Sequence, residues 1–190
     1  YLDQWVRNLD DIQLLKTVRF QRTVIPVNAA NLNINLIVTS DASKSIAVAA
    51  VHARVLLTDG SYSCQLFTAR SKLVKTSTIP KAELRGAVMA ASLGHVVKYN
   101  LGPQYEGAIY CSDSTIALYW IVQDQRALET YVRNCVIEVR RFTDPSQWYH
   151  VASEDNIADL GTRTAEVSEI GLNTDWQTGR GWMKDKFEDM

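Results

Sequence analysis

The sequence predicts a mixed α/β domain built on a five-stranded sheet, an antiparallel meander extended by parallel strands and flanked by helices. Three observations carry this. Apolar, β-patterned runs at 34–40, 45–53 and 62–69 follow one another across short turns. Beyond them helical and strand patterns alternate, and a strand returning after a helix pairs in parallel. Finally, 190 residues with 46% hydrophobic content suffice for one well-buried domain with appendages.

Each element has its own signal. Leu2, Trp5, Val6, Leu9, Ile12 and Leu15 fall at helical spacing, so 1–18 reads as an amphipathic helix with a break near Leu9-Asp10-Asp11. Pro26 ends a short apolar segment, and an Asn-rich connector follows. INLIVTS (34–40) is the first strand and SIAVAAVHA (45–53) the second, with Asp41, Ala42, Ser43 and Lys44 as their turn. Asp59-Gly60 is a hairpin dipeptide separating an extension of the second strand (54–57) from a third strand at 62–69. Pro80 suits the first turn of a helix that runs through Leu84, Ala87, Val88 and Ala91 to about Tyr99, where Gly102-Pro103 closes it. GAIYCS (107–112) is a short strand leading directly into a helix over 113–122. A helix over 128–142 stops before Asp144-Pro145, a strand follows at 147–151, and a last helix covers 154–164 with Ser153 as its cap. Trp176 and Trp182 mark an irregular tail that packs back. The chain thus divides into a leading helix and connector (1–30), the α/β domain (31–166) and the tail (167–190). It opens on Tyr1 rather than methionine, which reads as a piece of something longer.

Composition bounds the chemistry. The net charge of −1 exerts no global pull on nucleic acid, and no run of apolar residues approaches a membrane span. Cys64, Cys111 and Cys135 lack metal-ligand spacing and read as buried thiols in a reducing compartment.

Four carboxylates stand out: Asp41 in VTSDAS, Glu83 in IPKAELRGA, Asp113 in YCSDSTIALYWI and Asp159 in HVASEDNIADLGTR. Singly, each has an ordinary reading: a turn aspartate, an acid near a helix N-terminus, an N-cap and a solvent-facing acid. Jointly, they occupy the end of the first strand, the first crossover helix, the end of the fourth strand and the helix after the fifth, which a sheet of this order brings to one edge. Clustered acids without Cys or His select hard cations such as Mg²⁺ or Mn²⁺. Two such ions can hold the attacking water and the leaving oxygen of a phosphodiester in line.

Those four segments, with the tail WQTGRGWM, resemble the ribonuclease H domain of a Bel/Pao-type LTR retrotransposon polyprotein, over roughly 38–183. The leading helix is similar to the segment that joins the reverse transcriptase to this domain in that class. The resemblance implies a ribonuclease H fold whose metal-binding acids are Asp41, Glu83, Asp113 and Asp159. It further implies two Mg²⁺ or Mn²⁺ ions and cleavage of the RNA strand of an RNA–DNA hybrid. It makes the reverse transcriptase of the same polyprotein a partner and cytoplasmic virus-like particles the location. Ser43, Lys44, Ser114 and Thr115 flank the acids as candidate substrate contacts, as does Arg133, which shares the 128–142 helix with Arg140 and Arg141, Arg126 lying just before it. The chain also departs from the pattern. The loop before the last helix carries Glu154 where many relatives have histidine, while His150 lies earlier, on a strand, and reads as structural. The tail has Gly-Arg-Gly where the class often has Gly-Pro. No basic handle is evident, so few phosphate contacts are expected. Two rivals remain, a non-catalytic docking or connection module and an integrase- or transposase-type core. Uncompensated acids argue against the first, and the lack of a His-Cys zinc module against the second.

Overall fold

A computed structural model of the chain describes residues 2–75, 78–163 and 165–185. Helix α1 (Leu2–Leu14) leads and runs unbroken through Leu9-Asp10-Asp11, with a 3₁₀ turn, Leu15–Thr17, behind it. Tyr1 lies outside the described residues. Strands β1 (Ile34–Ala42), β2 (Ile46–Leu56) and β3 (Tyr62–Leu73) form the meander. Helix α2 (Ile79–Leu101), with Pro80 in its first turn, then leads to β4 (Tyr105–Ser112). Helices α3 (Thr115–Val122) and α4 (Thr130–Phe142) precede the short β5 (Trp148–His150). The sheet order is β3-β2-β1-β4-β5, with β1 antiparallel to β2, β2 antiparallel to β3, and β4 parallel to both β1 and β5.

Both faces of the sheet are buried, by different means. On one face Leu36 and Val38 of β1 meet Leu84, Ala87 and Ala91 of α2, with Val132, Val136 and Val139 of α4 behind them. Among the described residues no long helix covers the other face. There Ile37 and Cys64 pack against Ile157, Leu160 and Met183, with Trp176 and Trp182 alongside. Helix α5 (Asp175–Thr178) and a 3₁₀ turn at Gly181–Lys184 carry this cover. Polar groups tie it down. His52 Nε2 bonds the Trp176 carbonyl at 3.0 Å, Gln65 Nε2 donates to Gln177 Oε1 at 3.2 Å, and Arg54 donates to the Asp185 carbonyl. Burial pushes the His52 pKa down to about 4, so this imidazole is neutral at physiological pH.

Three local expectations are corrected. Strand β1 continues to Ala42, so Asp41 is a strand residue paired with Val48, and the turn is Ser43–Lys44–Ser45. Helix α3 begins at Thr115 with Ser114 as its N-cap, its hydroxyl accepting from Ala117 N at 3.1 Å, so Asp113 is free of capping. The expected helix over 154–164 is instead two 3₁₀ turns, Ser153–Asp155 and Ile157–Gly161. Asn156 between them is extended and caps the second turn in place of Ser153. Its side-chain amide donates to the Ser40 carbonyl of β1 and to Asp113, just beyond β4. Thr164 lies outside the described residues.

Among the described residues no helix is long and apolar enough to cross a membrane. Helix α1 keeps its apolar side in solvent, Trp5 being 65% exposed and Leu9 and Ile12 also exposed.

Removing a side chain from the tail should therefore cost more than removing one from α1. Met183→Ala empties a fully buried position and is expected to lower unfolding free energy by about 2–5 kcal/mol. Trp5→Ala should change it by no more than about 0.5 kcal/mol. Urea denaturation of both variants checks the order, which reverses if α1 rather than the tail belongs to the cooperative unit.

Candidate active site

The parallel pairing of β1 with β4 sets Ser40 opposite Ser112, so Asp41 and Asp113 leave neighbouring strands at the same end. Glu83 reaches that end from α2. Gly86, one turn further along α2, lies against the strand: a Cβ there would stand 3.1 Å from the Asp41 carbonyl oxygen. A side chain at 86 would require the Asp41 backbone or α2, which carries Glu83, to give by a few tenths of an ångström. Asp159 comes from the 3₁₀ turn after β5, where Gly161 packs so closely on Val48 that an added Cβ would lie 2.8 Å from its methyl.

The charges feel one another. Burial raises the pKa of Asp41, a hydrogen bond from Thr162 opposes this, and the charges of Asp113 and Asp159 raise it further. Burial likewise raises Glu83, a hydrogen bond from Ser114 opposes it, and Asp113 and Asp41 add their repulsion. Asp113 accepts from Ser153 Oγ at 2.8 Å and Asn156 Nδ2 at 3.0 Å. These partners are hydroxyls and an amide, none of them charged. Asp159 differs: Arg163 Nε lies 3.0 Å from its carboxylate, and Arg163 also bonds Glu169 at 2.8 Å.

A hard divalent cation fits this donor chemistry, which is all oxygen and under-neutralised at Asp41, Glu83 and Asp113. As the side chains stand, no group of three His, Cys, Asp or Glu among the described residues is drawn together into a ready metal cluster. Hydroxyl and amide hydrogens occupy the carboxylate oxygens.

The other candidate contacts separate into exposed and engaged. Lys44 and Thr115 are exposed beside the acids. Ser43 closes the β1–β2 turn, accepting from Ile46 N at 3.2 Å. Ser114 is buried, capping α3 and donating to Glu83. Arg133 bonds the Leu128 carbonyl at 2.9 Å, and Arg140 bonds the carbonyls of Ile121 and Gln123, which end α3. His150 and Glu154 are exposed. Thr162 and Asn156 carry no site role in the sequence reading, and Ser153 appears there only as a helix cap. Each is a small polar residue near a motif acid, which is a weak signal until its partner is known.

A family model described as Pao retrotransposon-like RNaseH-like domain matches residues 1–114. The chain belongs to this family. The match spans Asp41, Glu83 and Asp113 and stops before Asp159. Solved structures similar to the Pao-type domain include LC11-RNase H1 in complex with an RNA/DNA hybrid (12% identity, TM-score 0.47, covering 73% of this chain and 100% of that one). The N-terminal RNase H domain of a Mycobacterium tuberculosis protein, fused to maltose-binding protein, is similar at 15% identity and TM-score 0.42, covering 65% of this chain and 86% of that one. RNase H1 from Halobacterium salinarum matches at 15% identity and TM-score 0.39, covering 66% and 90%. No curated protein matches the chain. The five-stranded mixed sheet flanked by helices is the RNase H-like fold.

The raised carboxyls give a pH signature. A carboxyl whose folded pKa lies above its ordinary value of 3.8 costs stability once ionised, and that cost disappears when both states are protonated. In metal-free buffer Asp41→Asn should therefore melt above the parent at neutral pH, the gap closing as pH falls towards 3.8. Thermal melts across that range check it, and a variant that melts lower at pH 7 would contradict the account.

Proposed function

We propose that this domain is a divalent-metal-dependent endoribonuclease that hydrolyses the RNA strand of RNA–DNA hybrids during reverse transcription of a retroelement. The observation that carries the proposal is the convergence of Asp41 of β1, Glu83 of α2 and Asp113, just beyond β4, on one end of the sheet, where burial and then neighbouring carboxylates raise the pKa of Asp41 and Glu83 and the hydrogen-bond donors to the three acids among the described residues are neutral. Like charges are costly to hold half-buried unless something positive arrives. In this reading Asp41, Glu83, Asp113 and Asp159 hold two Mg²⁺ or Mn²⁺ ions. When bound, such ions lower the pKa of water and offset charge on the phosphodiester. Asp41 and Asp113, anchored on the sheet, orient the site, and Glu83 closes it from α2. Asp159, on a partly exposed turn, would hold an ion only once released from Arg163.

The fold also supports a place for substrate phosphates. Arg70, Lys72 and Lys75 at the end of β3 line a cleft of about 420 Å³ with Arg85 of α2 and Tyr131 and Glu138 of α4. Arg85 lies 3.6 Å from Glu138, so three cations remain in excess on this wall. This cleft is a place where a near-neutral chain gathers positive charge. The exposed apolar side of α1 supports docking against the reverse transcriptase of the same polyprotein.

The Arg163–Asp159 ion pair favours a second reading, a non-catalytic docking module whose fourth acid is permanently neutralised. One experiment separates the two. With Mg²⁺ the parent should cleave the RNA of a labelled hybrid, and Asp113→Asn should lower the rate at least 100-fold while leaving the circular dichroism spectrum unchanged (about 2.7 kcal/mol of barrier). A parent that never cleaves under Mg²⁺ or Mn²⁺ supports the docking module.

Salt dependence tests the cleft. Each of Arg70→Ala, Lys72→Ala and Lys75→Ala should reduce the slope of log K against log[salt] for hybrid binding by about one. Unchanged slopes would remove the cleft from the substrate path.

A further inference from the structure

The segment after β5 does more than deliver Asp159. Asn156 is 1% exposed, and every hydrogen-bonding group of its side chain amide is engaged. Nδ2 donates to the Ser40 carbonyl at 3.0 Å and to Asp113 Oδ1 at 3.0 Å, while Oδ1 accepts from Ala158 N at 3.3 Å. The amide therefore joins the end of β1, one residue before Asp41, to the acid just beyond β4. Ser153 holds the other oxygen of Asp113.

We infer that Asn156 is a positioning residue that sets the orientation of the Asp113 carboxylate, and its distance from Asp41, for divalent-cation binding. This rests on the metal-dependent reading above. The backbone register fixes where the two aspartates begin, but the carboxylate of Asp113 can rotate about its own side-chain bonds. Repulsion from Asp41 and Glu83 drives it away from them. The Asn156 amide opposes that rotation with a neutral donor. A lysine or arginine in its place would cancel the charge that a cation needs and, having no acceptor, would leave the Ala158 amide unpaired. Truncation to alanine also strands the Ser40 carbonyl and the Ala158 amide, so some loss of stability accompanies it.

Mn²⁺ titration of the full 190-residue chain by calorimetry and electron paramagnetic resonance tests this. The variants are Asn156→Ala, Ser153→Ala and Asp113→Asn, each checked for folding by circular dichroism. Asn156→Ala is expected to weaken Mn²⁺ binding about 10–100-fold, the range for partners that orient metal ligands. Hybrid cleavage should lose kcat at limiting Mn²⁺, regain it at excess Mn²⁺ and keep its KM. A merely structural role would lower the melting temperature and leave Mn²⁺ affinity unchanged, which overturns the inference. If Asn156→Ala does not fold, Ser153→Ala, on the exposed side of the same carboxylate, decides: a several-fold weakening supports the inference, and parental affinity overturns it. Asp113→Asn distinguishes the two levels. Should it bind Mn²⁺ like the parent, the metal site itself is misassigned. Should it lose Mn²⁺ while folded Asn156→Ala does not, only the role of Asn156 falls.

Discussion

The parallel pairing of β1 with β4 is the constraint on which the rest of this structure depends. It places Asp41 and Asp113 side by side although three strands and a long helix separate them in the chain. The intervening α2 is pressed onto β1 at Gly86, whose missing side chain lets the helix reach the Asp41 carbonyl. Glu83 is one turn away, so that close approach places its backbone and the hydrogen bond from Ser114 holds its carboxylate. On the outer side Gly161 plays a comparable part against Val48, bringing the turn that carries Asp159 and Thr162 onto the sheet.

Charge is handled by neutral donors. Thr162, Ser114, Asn156 and Ser153 each donate to one of three acids, lowering the cost of the carboxylates without balancing their charge. A hydroxyl or amide hydrogen exchanges for a cation more readily than an ammonium or guanidinium does, because no counter-charge must be displaced. Asp159 is the exception. Its ion pair with Arg163 is about half exposed, where such pairs contribute little. The fourth acid is therefore the one whose counter-charge must leave before a cation takes its place, from a pair that itself contributes little.

The tail matters because β1 and β2 are buried on both faces, while α2, α3 and α4 cover only one. Met183, Trp176, Trp182 and the 3₁₀ turn at Ile157–Gly161 supply the second cover, and the turn holds the strap against the strand ends. Stability and site geometry share these residues.

The order of the strands and helices was legible in the sequence, because apolar periodicity is a local property and Pro80, Gly102 and Asp59-Gly60 punctuate it locally. The motif acids were legible for the same reason, being embedded in recognisable segments. The turns at 153–161 were not. Asn156 has helix-compatible neighbours, and only its bonds to Ser40 and Asp113 hold it extended. Nor was it legible that Arg133 and Arg140 bond backbone carbonyls, or that Arg70, Lys72, Lys75 and Arg85 would line one cleft. Residue order along the chain thus determined which elements form and which acids are candidates. Tertiary structure alone decided which donor holds which acid, which arginines are already engaged and where positive charge collects. Hydrogen bonds act within about 3 Å and charges within about 10 Å at physiological salt, and those separations exist only once distant segments have packed.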